Sequence, residues 1–307
     1  MKRTLLFFIL WTAIAATADD GSRLWLRYSI TPSPTTSVQF EQDLGLMVNQ
    51  SDRAIIDNAL DELVQHWLGL PLLLRLTGEQ VLPKDAFHIA KVNEESFLIT
   101  SSSATGLLYA AYFVLRSQTM GDGCLCQTLG PDHELTDRPE TSVRSVSISN
   151  PEVLEGRITT FARAMASVGI NDVVFPSSSF MKVAEMQDSL KVYGIMVHCG
   201  ETVANVLPLT DDINWTGEHL FQYKCYDIAR SQWQTDLSPE RIVCEWLAQT
   251  FSDNPYFIIS MRDAMLSSET ERPKRLIDTW QEMQQYIDRE RFGDVEQCLM
   301  NHLLDEK

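Results

Sequence analysis

Asp172-Val173-Val174-Phe175 is the middle one of three short apolar runs that decide the fold of this chain. It follows a run at residues 143–148 and precedes Ile195-Met196-Val197-His198. Helical patterns occupy the two intervals, at residues 152–168 and 181–193. Because strands that are joined by helices lie parallel in one sheet, this order predicts a parallel sheet with right-handed crossovers.

The residues before this sheet, 19–120, are predicted to form an N-terminal α+β sandwich domain. Residues 23–28 alternate in polarity and predict a strand, and two more short strands are predicted at 87–90 and 96–100. The inward face of the first strand carries Leu24, Leu26 and Tyr28.

Two helices are predicted within the same domain. The first begins with Ser51 as its N-cap, and the second covers residues 104–117. The second helix is apolar on almost all sides, which predicts burial between two layers. The apolar stripe of the first helix consists of Ile55, Ile56, Leu60, Leu63 and Trp67.

A linker follows the N-terminal domain, and a helical domain follows the parallel sheet. Residues 121–141 contain Gly and Pro breakers without an apolar period and predict the linker. Residues 213–307 predict a C-terminal helical domain, in which Ser238 caps a helix with Pro239 at its first position. A helix after Pro273 carries an apolar stripe of Leu276, Trp280, Met283 and Ile287. A last helix carries a second apolar stripe of Val295, Leu299 and Leu303.

Residues 1–18 have the pattern of a secretory signal peptide. Lys2 and Arg3 precede an apolar run at 5–14, and Ala16-Thr17-Ala18 is a small-residue cleavage site. We therefore expect an exported protein, periplasmic or extracellular, without a membrane span. Its cysteines could form disulfides there but are not needed for a core of this size. They are Cys124, Cys126, Cys199, Cys225, Cys244 and Cys298.

Composition and motifs argue against several classes of function. The 307 residues carry 25 basic and 42 acidic side chains, a net charge of −17, which leaves no extended basic face for nucleic acid. Cys124 and Cys126 have no second pair at zinc-finger spacing. Phosphate-binding glycine loops, nucleophile-elbow serines and helical His-Glu-x-x-His pairs are absent from the sequence. We therefore expect neither a metal nor a cofactor.

Collinear stretches of the chain resemble the α-glucuronidases of glycoside hydrolase family 67. Residues 20–28 are similar to the start of the mature family members, and 99–119 to the end of their N-terminal domain. Residues 161–171 resemble the first helix and following strand of the catalytic barrel, and Tyr193-Gly194-Ile195 the approach to the next strand. Three segments resemble the C-terminal helical domain of the family: 233–238, 245–251 and 279–292.

The resemblance implies an inverting glycoside hydrolase that removes α-1,2-linked (4-O-methyl)glucuronic acid side groups from xylan-derived oligosaccharides. It also implies a (β/α) barrel, which takes about 250 residues. The barrel segment here, 142–212, has only about 70 residues, so we expect an incomplete barrel-like parallel sheet of about three strands. No stretch aligns with the family's general acid or with its water-activating carboxylates.

Four acids lie nearest the predicted strand ends: Asp172, Glu201, Asp211 and Asp212. An inverting glycosidase needs two carboxyl groups about 6.5–9.5 Å apart on opposite sides of the scissile bond. The spacing of these acids in the sequence does not place any two of them on opposite sides of a pocket. Glu201 and Asp212 are the weak catalytic candidates, and solvated surface acids are the alternative interpretation.

Other residue types offer further candidates. His198 ends a strand and is either a ligand or acid, or a half-buried structural histidine. Trp215 and Trp233 are either sugar-stacking platforms or core residues. A glucuronate carboxylate would need a cationic clamp, and the sequence does not rank the three candidates Arg144, Arg157 and Lys182.

Two hypotheses about function follow. The first is an α-glucuronidase-like glycoside hydrolase of xylan breakdown whose catalysis is impaired. The second is a non-catalytic carbohydrate-binding or interaction remnant of the same family. Both predict an oligosaccharide carrying glucuronic acid as the partner. The uncovered face of an open parallel sheet also predicts self-association.

Overall fold

The computed structural model describes residues 22–28, 37–78, 82–93, 95–120, 129, 133–201, 204–217 and 219–288. The predicted signal peptide, the last predicted helix, Cys124, Cys126 and Cys298 lie outside these residues. The described part of the chain contains two β-sheets and eight α-helices. Among its helices, none has the length and apolar character that crossing a membrane requires.

The N-terminal sheet has five strands in the order β1-β2-β4-β3-β5. Strands β1, β2 and β4 run parallel, while β3 is antiparallel to both β4 and β5. The strands are β1 (Val38–Gln42), β2 (Leu72–Leu76), β3 (Phe87–Asn93), β4 (Ser96–Ser101) and β5 (Glu134–Asp137). In β2, alternate leucines are buried, so one face of the sheet adjoins the core.

Two helices pack against this sheet and against each other: α1 (Gln50–His66) and α2 (Ala104–Thr119). The N-cap of α1 is Asn49 rather than the predicted Ser51, because the Asn49 side chain accepts a hydrogen bond from the Asp52 amide at 2.9 Å. Helix α2 is buried on nearly all sides, as its sequence predicts.

Three features of the N-terminal region differ from the sequence predictions. Residues 23–28 form a turn followed by an irregular segment instead of a strand, and Leu24 to Tyr28 are all buried rather than alternately so. Residues 134–137, assigned to a linker, form β5 because their backbone pairs with β3. Strands β1 and β2 were not predicted, although Val38 and Phe40 alternate with polar residues in β1. Strand β2 is apolar except for Arg75 and shows no alternation in sequence.

The second sheet consists of three parallel strands in the order β6-β7-β8. Its elements are β6 (Ser145–Ser147), α3 (Ile158–Ser167), β7 (Asp172–Pro176), α4 (Phe180–Lys191) and β8 (Met196–Gly200). The predicted open parallel sheet is therefore present, and the described residues form no closed barrel. The predicted helix at 152–168 is divided, because a 3₁₀ turn at Pro151–Leu154 ends before Gly156, whose φ is +70°.

One further contact extends the parallel sheet beyond β6. Val206 forms an isolated parallel bridge with Ser147, and the amide of Ser147 donates to the carbonyl of Asn205 at 2.8 Å. The chain after β8 thus returns to the opposite edge of the sheet.

Four helices form the C-terminal layer: α5 (Gln222–Arg230), α6 (Pro239–Thr250), α7 (Pro255–Met265) and α8 (Arg272–Met283). Ser238 caps α6 as predicted, accepting from the Arg241 amide at 3.2 Å. Phe251 packs edge-on against both Trp246 and Trp280, with ring centroids 5.3 and 5.2 Å away.

The buried segment at residues 24–28 joins the layers. The Trp25 indole donates to Ser167 Oγ on α3 at 2.9 Å and meets the Tyr226 ring of α5 edge-on at 5.0 Å. The Tyr28 hydroxyl donates to Gln249 Oε1 on α6 at 3.1 Å. This segment is buried because it lies between elements of all three regions, which explains the lack of alternation.

Glu245 on α6 is a buried carboxylate that gathers arginines from three helices. Arg230 Nε lies 2.9 Å and Arg116 Nε 3.7 Å from its Oε2, and Arg241 Nε lies 3.1 Å from its Oε1. Burial by itself would raise the pKa of Glu245, but Arg230 and Arg116 outweigh it and lower the pKa from 4.5 to about 2.

Acid should therefore destabilise the protein through Glu245. Between pH 4.5 and about 2 the unfolded carboxyl takes up a proton that the native one does not, so stability is present above this window and falls as the pH drops through it. This difference between the unfolded and the native pKa corresponds to about 3 kcal/mol in the free energy of unfolding. Urea unfolding across this range should show a smaller loss for Glu245→Gln than for the wild type. The exposed Glu282→Gln variant is the control, and equal acid sensitivity of both variants would contradict the assignment.

Candidate functional site

The carboxyl ends of parallel strands are where (β/α) folds place their sites. Glu201 follows β8 at this edge and is exposed, without a hydrogen bond or ion pair to any described residue. A 3₁₀ turn at Ser177–Ser179 follows β7 and has no buried residue. Glu201 and the turn after β7 therefore lie at the surface.

Asp212 is a turn residue. Its Oδ2 accepts from Thr210 Oγ1 at 2.7 Å, and its backbone carbonyl accepts from Arg157 at 2.6 Å. No described contact joins Asp212 to Glu201. The structure thus does not assemble the two weak catalytic candidates into a pair.

One polar cluster does lie on the parallel sheet. The Oδ1 of Asp172 is 2.9 Å from His198 Nε2, and its Oδ2 accepts a hydrogen bond from Ser145 Oγ. Asp172 begins β7, Ser145 is its register partner on β6, and His198 lies two residues beyond its partner on β8. All three side chains therefore share one face.

This face is only partly covered. Met196 is 61% exposed and the side chain of His198 is 54% exposed, whereas Val146, Val173 and Phe175 on the opposite face are buried. His198 is thus more exposed than the half-buried residue that the sequence suggested. Helix α4 packs against β7 and β8, and the face with Met196 and His198 remains open.

The order of the three groups limits their chemistry. Asp172 lies between Ser145 and His198, so the serine donates to the carboxylate and not to the imidazole. A serine nucleophile would need the histidine as its base. Asp172 also lies at the amino end of its strand, away from the edge that carries Glu201. The cluster can offer hydrogen bonds to a polar ligand, but it lacks a second carboxyl for glycoside hydrolysis.

Arg144 is engaged within the fold and is not available as a ligand clamp. It is fully buried, and its Nη2 lies 2.9 Å from Asp85 Oδ2. Its Nη1 donates to the Thr141 carbonyl at 2.8 Å, and its guanidinium lies over the Trp233 ring at 5.3 Å. The buried ion pair connects the N-terminal domain to the parallel sheet.

The other two cationic candidates are also engaged. Arg157 lies 4.1 Å over the Trp215 ring, and burial lowers its pKa despite the nearby Asp211 and Asp212. Lys182 on α4 pairs with Glu152 at 2.7 Å and with Glu155 at 2.9 Å.

The two tryptophan candidates are core residues. Trp215 and Trp233 are 0% and 4% exposed, so neither can stack on a sugar from solvent. The ring of Trp233 lies against Gly169, where an added Cβ would come within 2.2 Å of it. Gly169 has a φ of +87°, so both the space and the backbone conformation require glycine there.

The described cysteines are free thiols: Cys199, Cys225 and Cys244. Burial raises the pKa of Cys225 to about 12, which makes that thiol unreactive. Within the residues that the structure describes, no group of three or more potential metal ligands comes together.

Comparison with known proteins gives a limited result. No protein-family model matches the chain. A search of curated proteins likewise finds no match. Among solved structures, similar chains include a GH138 enzyme targeting pectin rhamnogalacturonan II, at 16% identity and a TM-score of 0.38 over 52% of this chain and 24% of that one.

Two other solved structures are similar at the same level. A family GH115 4-O-methyl-α-glucuronidase with specificity for decorated arabinogalactans has 11% identity and a TM-score of 0.38, over 55% of this chain and 29% of that one. The Flavobacterium johnsoniae chitobiase has 11% identity and a TM-score of 0.36, over 83% of this chain and 48% of that one. All three are glycoside hydrolases, and this chain spans less than half of each. These weak similarities establish neither a shared fold nor an activity.

Asp85→Asn should unfold the protein more readily, because it leaves Arg144 buried without a counter-ion. Asn tolerates the positive φ of 68° at this position, so the substitution leaves the backbone in place and removes the charge together with one acceptor oxygen. The expected loss is about 3–5 kcal/mol in urea unfolding. Asp57→Asn, which removes the partner of the exposed Arg53, should cost less than about 1 kcal/mol. Similar losses in both variants would refute a structural role specific to Asp85.

Proposed function

We propose that this protein is an α-glucuronidase-like relative of glycoside hydrolase family 67 that does not turn over substrate. The collinear sequence resemblance supports the family assignment. The observation that carries the proposal is the parallel bridge between Val206 and Ser147. In a closed (β/α)₈ barrel the last strand pairs with the first. The chain after β8 occupies the corresponding edge of β6, as expected for a barrel that lacks its middle strands.

The loss of turnover follows from the positions of the acids. Glu201 and Asp212 share no described contact, and Asp172 is engaged by Ser145 and His198. Without an acid and a base across the scissile bond, each proton-transfer role forfeits about 10²–10⁴ in rate. The substrate class in this proposal is the xylan-derived oligosaccharide with (4-O-methyl)glucuronic acid side groups. Export by the predicted signal peptide would place the protein where such oligosaccharides arise.

Incubation of purified protein with aldouronic acids should release no free (4-O-methyl)glucuronic acid above a protein-free control. Glu201→Gln and Asp212→Asn should leave this result unchanged, because neither residue takes part in a catalytic pair. Release that either substitution abolishes would show that a catalytic site exists and would overturn the proposal.

The second candidate function is carbohydrate binding without turnover. It is favoured by the open polar face with Ser145, Asp172 and His198, whose groups can bond sugar hydroxyls. Calorimetric titration with the same aldouronic acids tests this candidate. Binding that Asp172→Asn weakens would support it, and absence of binding would leave a relative of the family that neither binds nor hydrolyses these sugars.

We also propose that the protein self-associates through the parallel sheet. Within the described residues β8 pairs only with β7, which leaves one edge without a neighbour. Exposed Met196 and Met181 lie in this region, on β8 and α4. Sedimentation velocity should detect a dimer or a larger species, and Met196→Lys should shift it toward monomer. A monodisperse wild-type monomer would contradict this expectation.

A further inference from the structure

A groove of about 440 Å³ lies on the C-terminal layer, between α6, α7 and the end of α2. Met120, Cys244, Ile258 and Ile259 are among the residues that line it. Ile258 is only 7% exposed, whereas its neighbour Ile259 is 48% exposed. The groove therefore has a buried apolar base and an open apolar rim.

The apolar surface continues along α7 beyond the groove. Tyr256 and Leu266 are 72% and 38% exposed. Together with Ile259 they are spaced by three and seven residues, which places all three on one side of the helix. A run of exposed large apolar side chains marks an interaction surface. Helix α7 is about 16 Å long, so an occupant that covers this side needs a similar length.

Charge does not select the occupant of the groove. The four charged residues that line it are Glu240, Arg241, Asp253 and Arg262. Two acids and two arginines leave no excess charge, so the lining has no electrostatic preference for a free ion. The occupant is therefore expected to present an apolar surface.

The described part of the chain ends beside this groove. The amide of Asp288 donates to the carbonyl of Phe251 at 3.0 Å, and Asp253, two residues after Phe251, lines the groove. The ring of Tyr286 lies 6.3 Å from the ring of Tyr256 at the start of α7. Residues 289–307 therefore continue from a point next to the N-terminal end of α7.

These residues carry an apolar pattern of matching size. The helix that the sequence predicts there has a stripe of Val295, Leu299 and Leu303. This stripe is about 12 Å long, which fits along α7. Residues 289–294 reach about 20 Å when extended, so they are long enough to bring the stripe over the groove.

We propose that the C-terminal segment of this chain, residues 289–307, docks on the groove and places its apolar stripe against α7 at Ile259. An amphipathic helix with anchors at these spacings is the kind of ligand that an apolar groove binds. A segment tethered beside its groove has an effective concentration of about 1 mM. A second copy of the chain would have to compete from solution, against repulsion between two chains with a net charge of −17 each.

The inference does not rest on the proposed function. The groove belongs to the C-terminal helices, and its lining includes neither the polar face of the parallel sheet nor Met196. Failure of one proposal therefore leaves the other unaffected.

Alkylation of Cys244 reports on whether the groove is covered. Cys244 is a partly exposed free thiol in the groove, and Cys199 on β8 is a second such thiol outside it. A time course of the full chain with N-ethylmaleimide, followed by peptide mass spectrometry, measures both thiols in the same sample. Docking should slow the reaction of Cys244, because the reagent reaches the thiol only when the segment has opened.

Leu299→Asn tests the contribution of the segment. The substitution should raise the alkylation rate of Cys244 at least about tenfold and leave that of Cys199 within about twofold, since burial of one leucine favours docking by about tenfold or more. Gln297→Asn is the matched control, because it puts the same residue into the same predicted helix on the side away from the stripe. It should change neither rate.

Ile259→Asn tests the contribution of the groove. It should also raise the alkylation rate of Cys244 about tenfold, because the stripe would lose its apolar contact on α7. Ile213→Asn is the control, since Ile213 is 61% exposed and lies outside the groove. Thermal unfolding of all four variants should confirm that they are folded.

Three results would overturn the proposal. An unchanged rate at Cys244 in both Leu299→Asn and Ile259→Asn would refute docking of this segment. An equal rise at Cys244 and Cys199 would show that the substitutions loosen the whole chain. A wild-type rate at Cys244 that falls as the protein concentration rises would show that a second copy fills the groove.

Discussion

The attachment of the C-terminal helices depends on one buried carboxylate, Glu245. A buried charge is tolerated only when opposite charges and hydrogen bonds replace the water it has lost. Arg116 reaches Glu245 from α2, and Arg230 reaches it from α5. The angle and separation of these helices are therefore constrained by where the guanidinium groups must lie. Apolar packing around Trp246 and Phe251 adds stability, but it is less directional than this ion cluster.

The same type of contact recurs where α1 meets α3. Glu62 of α1 is 6% exposed, and Arg163 of α3 donates to it through two nitrogens, with Nη2 at 2.9 Å from Oε2. The Tyr112 hydroxyl donates to the same carboxylate at 3.1 Å. Together with Asp85 and Arg144, these pairs connect the regions of the chain through arginine. Of the three cationic candidates for a sugar acid, Arg144 is engaged in such a pair.

The local elements could largely be predicted from the sequence, but the contacts between them could not. Ser238 and Pro239 identify the start of α6, since a cap and a first-turn proline act within a few residues. The strand predicted at residues 23–28 was wrong because its burial comes from partners such as Ser167 and Gln249, far away in the sequence. Nothing near Glu62 indicates a partner 101 residues later in the chain.

The candidate sites show the same limit. Asp172 and His198 stand out in the sequence, but their pairing depends on strand register, and Ser145 carries no signal of its own. The arginines around Glu245 were missed altogether, because Arg116, Arg230 and Arg241 come from separate helices and resemble ordinary surface cations in the sequence. A motif can identify a site only when its residues are neighbours in the chain or follow a known spacing.

The open sheet also limits the chemistry that substitutions at its strand ends could restore. In a closed barrel, catalytic groups from several strands surround a substrate and can approach it from opposite sides. Three parallel strands form only one side of such a ring, so acids at their carboxyl ends approach a ligand from one direction. Glycoside hydrolysis with inversion requires a proton donor and a water-activating base on opposite faces of the sugar. A better-placed acid near Glu201 would supply one of these roles, and the opposing group would still need a further strand or a second chain to hold it.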